Sequence, residues 1–588
     1  MKEFFKMMLA SFTGYLLYSI VGMIMFFVLI FSVLNAETGP VMPEKAVLTI
    51  DMSQIALTEQ TREITLAEML QGTEPAQPVG ILDAVASINA AAYDPAVKYI
   101  FLKPDATVGG PAQIEELRQA LVDFRECGKP VVSYIENPTN AGYYLASASD
   151  KIYMTPHDGG LNTFTGLSSQ MIFLKDALDR LGINVQLIRH GKYKSAGEMF
   201  VRNSSSKENM EQNAEMVDSM WESWSNQIAE SRSMDVETLN SLLDNLELNF
   251  PSDFLEHGLV DELLTLDQLQ NKLAMLYMAD NYKDVQSISL QDHIQLTSAG
   301  NSSASKKIAI IYVEGNIVDG NAEEEVAGDR FANLIQDVRN DDSIEAVVLR
   351  VNSPGGSVLA AEKIKTQVDS LCQKVPVIAS YGDYAASGGY WISANCDYIY
   401  ANATTLTGSI GVFSLIPDFS KTVNNKLHVN ITPVNSNPHA DMYSLLRPLS
   451  KQETEYMQAS VERIYDRFTS IVAEGRDMRL SQVDSIGQGR VWTGAQAYEI
   501  GLVDAIGTLD DALLHAALII DENNGLDNIQ VVEYPKQPTL EDMLMEALGG
   551  TAVQPTGALK NVWKGFSSWT PDQSGKVYAR LPYVMEIK

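Results

Sequence analysis

The chain is poor in cysteine, in positive charge, in histidine and in long apolar runs. Cys127, Cys372 and Cys396 are its three cysteines in 588 residues. None stands at CxxC or zinc-finger spacing and the count is odd, so a disulfide framework is not expected. Lysine and arginine total 43 against 75 aspartates and glutamates, a net charge of −32. Such a surface repels nucleic acid, and no basic run offsets it; the acidity is read as solubility. No metal or nucleotide motif occurs, and no cofactor is expected. The seven histidines, His157, His190, His257, His293, His428, His439 and His515, stand in no recognisable triad context.

The long apolar run is at the N-terminus. Residues 7–36 carry no charge, and the centre, residues 14–34, is long enough for a helix across a ~30 Å hydrocarbon core. It exceeds the h-region of a cleaved signal, and Leu34-Asn35-Ala36 is a poor cleavage site. Lys2 and Lys6 precede the run and Glu37 follows it, which places the first residues in the cytoplasm and the body outside. Residues 1–40 are therefore read as a single-pass anchor.

The remainder repeats itself. Gly109-Gly110 answers Gly355-Gly356, and AGYYLASASD (residues 141–150) answers GGYWISANCD (388–397). Thr165-Gly166 answers Thr407-Gly408, and HGLVDELLTLD (257–267) answers IGLVDAIGTLD (500–510). All four pairs keep their order at offsets of about 245 residues, so residues 45–285 and 308–535 are expected to be two copies of one fold. Residues 286–307, small and polar towards their end, are read as the linker. Residues 536–588 have no counterpart and no assigned role.

Each copy alternates apolar strand-like runs with amphipathic stretches. In the second copy, 308–313, 346–349 and 375–379 read as strands and 360–371 as a helix, which predicts βαβ crossovers and a largely parallel sheet in an α/β fold. Residues 451–476, echoed by 205–232, read as a long helix.

Two glycine corners carry the candidate chemistry. Asn352-Ser353-Pro354-Gly355-Gly356-Ser357 follows a strand and precedes a helix. It suits a tight turn, or N–H groups aimed at a phosphate or an oxyanion. Ala385-Ala386-Ser387-Gly388-Gly389 places one serine at the mouth of a predicted helix, 389–394. Ser387 is either an N-cap or a nucleophile whose oxyanion the Gly388 N–H stabilises. A nucleophile needs a base, and a lysine neutralised by burial can serve. Residues 190–198, HGKYKSAGE, offer Lys192 and Lys194; if the segment is extended, period-two alternation points both the same way and spacing cannot choose. The repeat sets Asn140 opposite Ser387, and Lys194 opposite residues 435–439, where there is no lysine. Each copy lacks what the other has, so one composite site between the halves is expected.

The strings NSPGGSV, AASGGYWIS, LTGSIGVF, GKYKSAGE and WTGAQAYEIGLVD resemble the long, duplicated form of the signal peptide peptidase A family, over nearly the whole chain to about residue 535. The resemblance implies a Clp protease/crotonase-like fold in each half and a serine endopeptidase with a Ser–Lys dyad. Ser387 would be the nucleophile, Lys194 rather than Lys192 the base, and Ser409 the serine that orients it. Oxyanion donors would be Gly388 and either Gly355 or Gly356. It further implies a homotetramer on the outer, periplasmic side of the inner membrane. That assembly would degrade signal peptides left after leader cleavage, and other apolar peptides. An acyl-CoA enzyme of crotonase type and an inactive membrane scaffold are the competing readings.

Overall fold

A computed structural model describes residues 4, 6–8, 11–22, 39–64, 76–297, 304, 306–323, 325–521, 523, 525–526, 528–537 and 577–581. Of the predicted membrane span, residues 14–22 are helical and exposed, whereas residues 23–34 lie outside the described residues. Among the described residues no helix is long and apolar enough to cross a membrane.

The repeat in the sequence is a repeat in topology. The first half builds a six-stranded sheet in the order Glu262–Leu263, Lys151–Met154, Val131–Ile135, Val97–Lys103, Ala46–Asp51, Ser287–Ser289. Every neighbouring pair is parallel. The second half repeats that order with Ala505–Ile506, Tyr398–Ala401, Val377–Ala386, Ile344–Ser353, Lys306–Glu314 and Ile529–Tyr534, again all parallel. Parallel neighbours require crossovers, and helices such as Pro111–Glu126 and Val358–Cys372 supply them. The strands are buried on both faces and so read as continuous apolar runs: Ile308 to Val313 are all buried. The long helices fall at Lys207–Arg232 and Lys451–Gly475, close to the sequence reading.

The linker needs correction at both ends: Lys306 and Lys307 already belong to the strand Lys306–Glu314 of the second half. Residues 287–297, expected in the linker, belong to the first half. Ser287–Ser289 pairs with Ala46–Asp51, and the helix Leu290–Thr297 buries Leu290, His293 and Ile294. The linker reading followed polar composition, which did not register one apolar stripe on a short helix.

The halves share a core. Ile81, Ala84 and Ile88 of one half cluster with Leu509, Ala512, Leu513 and Ala516 of the other. Beside it lies a buried ionic contact: the Arg350 guanidinium meets Glu59 at 2.6 Å and Glu116 at 2.9 Å, all three side chains enclosed. Burial alone would lower the affinity of Arg350 for its proton, but the Glu116 and Glu59 charges outweigh it and raise its pKa. A further sheet mixes the halves, since Asn184–His190 pairs antiparallel with Val412–Asp418 from Asn184↔Asp418 to His190↔Val412. That pairing carries the segment after His190 into the second half.

Candidate active site

The strand Asn184–His190 ends at Gly191, whose φ of +101° turns the chain sharply. The turn is pinned where the Tyr193 N–H donates to the Gln488 carbonyl at 2.9 Å. Residues 190–198 are therefore not extended, and the two lysines part company. Lys192 is exposed, its ammonium over the Tyr193 ring at 4.9 Å, while Lys194 is fully buried. Lys194 passes against bare backbone: a Cβ on Gly489 would lie 2.5 Å from the Lys194 Cβ, and one on Gly411 3.2 Å from its Cδ.

Ser387 stands between the strand Val377–Ala386 and the helix Gly388–Ser393. Its φ of +56° is unusual for a residue with a side chain. Its side chain makes no cap bond to the helix, which removes the N-cap reading. The turn is fixed where the Ser387 N–H donates to the Gly408 carbonyl at 2.8 Å. Ser409, also at positive φ, donates its N–H to the Arg490 carbonyl at 2.7 Å.

These two strained turns bring three predicted residues to one point. Lys194 Nζ lies 2.8 Å from Ser387 Oγ, 3.0 Å from Ser409 Oγ and 3.0 Å from the Ser409 carbonyl oxygen. A neutral amine has two N–H donors and one lone pair. Ser409 can take both N–H groups, which leaves the lone pair for the Ser387 hydroxyl proton. Burial pushes the Lys194 ammonium well below its ordinary pKa, and among the described residues no carboxylate opposes the shift.

The glycine corners converge on the same point. Gly355 has φ +91°, and a Cβ there would lie 2.5 Å from the Gly388 nitrogen; one on Gly388 would lie 3.0 Å from the Gly356 nitrogen. The three backbones touch, and only residues without a side chain allow it.

In the first half, Asn140 occupies the place of Ser387. Its amide accepts from the Thr165 and Gly166 N–H groups at 3.1 and 2.9 Å and donates to the Gly166 carbonyl at 3.0 Å. Residues 435–439, opposite Lys194, are exposed. Of the histidines, His190 stacks on Tyr465 at 3.8 Å.

Sequence reasoning missed the supports of the lysine turn. Arg189 donates to the Lys194 carbonyl at 2.7 Å and pairs with buried Glu198 at 3.2 Å. Gln212, on the helix Lys207–Arg232, donates to the Tyr193 carbonyl and the Ser195 hydroxyl and accepts from the Val491 N–H at 3.3 Å. The polar Gln212 on the buried face of an amphipathic helix was the available signal.

The model of peptidase family S49 matches residues 123–279 and 370–521, once in each half. The chain belongs to peptidase family S49. It is 35% identical over 467 residues to Protease 4 of Haemophilus influenzae, covering 77% of this chain and 75% of that one. To Protease 4 of Salmonella typhi it is 36% identical, covering 74% and 70%. To the chloroplastic serine protease SPPA of Arabidopsis thaliana it is 29% identical, covering 72% and 63%. The structure of a ClpP1 mutant from Listeria monocytogenes overlaps 34% of this chain and 93% of that one, at 14% identity and a TM-score of 0.24. The duplicated S49 chain is a serine-type peptidase of the SppA type, with a tandem α/β fold. A crotonase-type acyl-CoA enzyme is thereby set aside.

Proposed function

We propose that this chain is an endopeptidase working through a Ser387–Lys194 dyad, and that it removes apolar peptides, signal peptides foremost, at a membrane surface. The observation that carries the reading is the buried 2.8 Å contact between Lys194 Nζ and Ser387 Oγ. Neutral Lys194 takes the hydroxyl proton as Ser387 Oγ bonds to the scissile carbonyl carbon. The oxyanion develops against the Gly388 N–H at the mouth of a short helix, with Gly355 or Gly356 as second donor. As the C–N bond breaks, the Lys194 ammonium returns its proton to the leaving amine. Water then attacks the acyl ester, giving one proton to Lys194, and Ser387 is restored. Ser409 holds the amine in place throughout.

The apolar run at residues 14–34 supports a single-pass anchor in the inner membrane, with Lys2 and Lys6 on the cytoplasmic side and the catalytic body on the periplasmic side. That position delivers leader fragments to the site, and a homotetramer is the assembly implied by the family resemblance. The test is hydrolysis of a leader-derived apolar peptide by detergent-solubilised protein. Wild type should cleave and Ser387→Ala should not, with the fold unchanged. Turnover by a folded Ser387→Ala chain near the wild-type rate would remove the dyad.

A further inference from the structure

Four consecutive residues of the second half, Gln488 to Val491, each hold a different piece of the dyad's frame through their main chain. The Gln488 carbonyl accepts from the Tyr193 N–H at 2.9 Å, and the Gly489 N–H donates to the Ile410 carbonyl at 2.7 Å. The Arg490 carbonyl accepts from the Ser409 N–H at 2.7 Å, and the Val491 N–H donates to Gln212 at 3.3 Å. Gly489 also lies against the lysine itself, since a Cβ there would come 2.6 Å from the Lys194 nitrogen. The strap continues as the strand Val491–Thr493, antiparallel to Leu406–Gly408. Gly408 in turn accepts from the Ser387 N–H at 2.8 Å. One strap thus reaches the base, the serine that holds the base and the turn of the nucleophile.

The side chain of Arg490 ties this strap to the first half. Its guanidinium lies between two aromatic rings, 4.9 Å from the centre of Tyr193 and 4.3 Å from that of Trp492. Tyr193 belongs to the first half and immediately precedes Lys194. The Trp492 ring is fixed by its N–H on the Ile486 carbonyl at 2.9 Å. Arg490 also pairs with Glu215 and, at 3.8 Å, with Glu211, both on the helix Lys207–Arg232. Tyr193 donates its hydroxyl to Glu211 at 2.8 Å, and the Lys192 ammonium lies over the Tyr193 ring at 4.9 Å. Glu211 and Glu215 are exposed, and ion pairs to such carboxylates hold little by themselves. The enclosed part of the arrangement is the stack of ring, guanidinium and ring, which suits a planar cation and not an ammonium.

We propose that Arg490 is a positioning residue of the peptidase: its stacked guanidinium locks the Tyr193-Lys194 turn of the first half onto the strap that carries Ser409, and so holds the amine against Ser387. This rests on the dyad reading. The contacts of Lys194 Nζ are Ser387 and Ser409, so Arg490 acts through the turn and through Ser409. Burial, and not the arginine charge, lowers the lysine pKa. With the stack removed, the turn lifts and water reaches the amine. The Nζ–Oγ alignment is then lost in the step that moves the proton. The desolvation that keeps the amine neutral weakens as well, so its pKa rises and activity at a given acid pH falls further. The glycine corner is not among the contacts of the Arg490 side chain, so KM should change little.

The experiment compares full-length Arg490→Ala with wild type on one fluorogenic apolar peptide across pH. kcat should fall by about tenfold to 10²-fold with KM within about twofold. The acid limb of kcat/KM should move up by about one pH unit. Arg490→Lys keeps the charge for Glu215 but not the plane, and should stay within about threefold of Arg490→Ala. Losses from Arg490→Ala and Tyr193→Ala should be far from additive, because both open the same stack. Should Arg490→Ala lose its far-UV circular dichroism, Arg490→Lys carries the same readouts. Full activity in Arg490→Lys would place the effect in the ion pairs and overturn the stack. A lower kcat with an unmoved acid limb and additive losses would make Arg490 a structural residue only. Wild-type kcat and an unmoved limb in Arg490→Ala would remove its role while an inactive Ser387→Ala chain still upholds the dyad. Hydrolysis by folded Ser387→Ala would remove the dyad, and the positioning role with it.

Discussion

Lys194 and Ser387 stand 193 positions apart and meet with Nζ 2.8 Å from Oγ. The antiparallel pairing of Asn184–His190 with Val412–Asp418 delivers the first half's lysine turn to the second half's serine turn, and the Gln488 carbonyl pins it there. Ordinary repeats would each carry a complete site; here Asn140 and the exposed residues 435–439 mark the two places left without chemistry.

The two lysines of residues 191–194 should behave oppositely. Lys194→Ala removes the only group within reach of the Ser387 proton among the contacts described, and kcat/KM should fall by at least about 10²-fold. Lys192→Ala removes an exposed ammonium over Tyr193 and should keep most of the activity. Steady-state kinetics on the pair decides; the reverse ranking would mean that the base is misassigned.

The acid limb of the rate profile should report Lys194. Its ammonium is held well below the ordinary ~10.4 by burial. Below that depressed pKa the amine carries a proton and has no lone pair, so kcat/KM should fall about tenfold per pH unit and rise to a plateau at mildly alkaline pH. A profile flat across the acid range, in protein that stays folded, would exclude a lysine base.

Gly355→Ala should inactivate without unfolding. Its φ of +91° disfavours a side chain, and the new Cβ would collide with the Ala579 carbonyl and sit 2.5 Å from the Gly388 nitrogen. The substitution keeps the backbone N–H but displaces the corner, and taking one oxyanion donor out of position is expected to cost on the order of 10²-fold in kcat. Near-normal kcat in the variant would place the oxyanion elsewhere.

Arg350→Met should weaken the joint between the halves rather than the chemistry. It leaves Glu59 and Glu116 facing each other in the core, a change that costs about 3–5 kcal/mol when a buried pair is broken. The denaturation midpoint should drop, and adding Glu59→Gln and Glu116→Gln should recover part of the loss. An unchanged midpoint for Arg350→Met alone would show that the triad contributes nothing to stability.

Much of this was legible in the sequence because it was written twice. The four paired strings gave the duplication, the alternation of strand-like and amphipathic runs gave the α/β class, and the glycine corner gave the candidate serine; Asn140 opposite it pointed to one composite site. Local patterns served less well where long-range contacts decide. The orientations of Lys192 and Lys194 depend on the Gln488 carbonyl that pins their turn, 295 positions from Tyr193. The strand Ser287–Ser289 is too short to show a period and is defined by its partner Ala46–Asp51. Tyr578–Arg580 is a strand only because Gly355–Ser357 offers it an edge. Arg189, Gln212 and Gly489 belong to no motif and acquire meaning only from the position of Lys194.

The central claim is that one chain supplies both members of the dyad. It is tested most directly by mixing two inactive full-length chains, Ser387→Ala and Lys194→Ala, and measuring peptide hydrolysis. Because the lysine turn is paired strand to strand with the nucleophile's own half, the mixture should show no recovery above either variant alone. Recovery to a substantial fraction of wild-type activity would mean that lysine and serine meet between chains, and the intrachain site would be wrong.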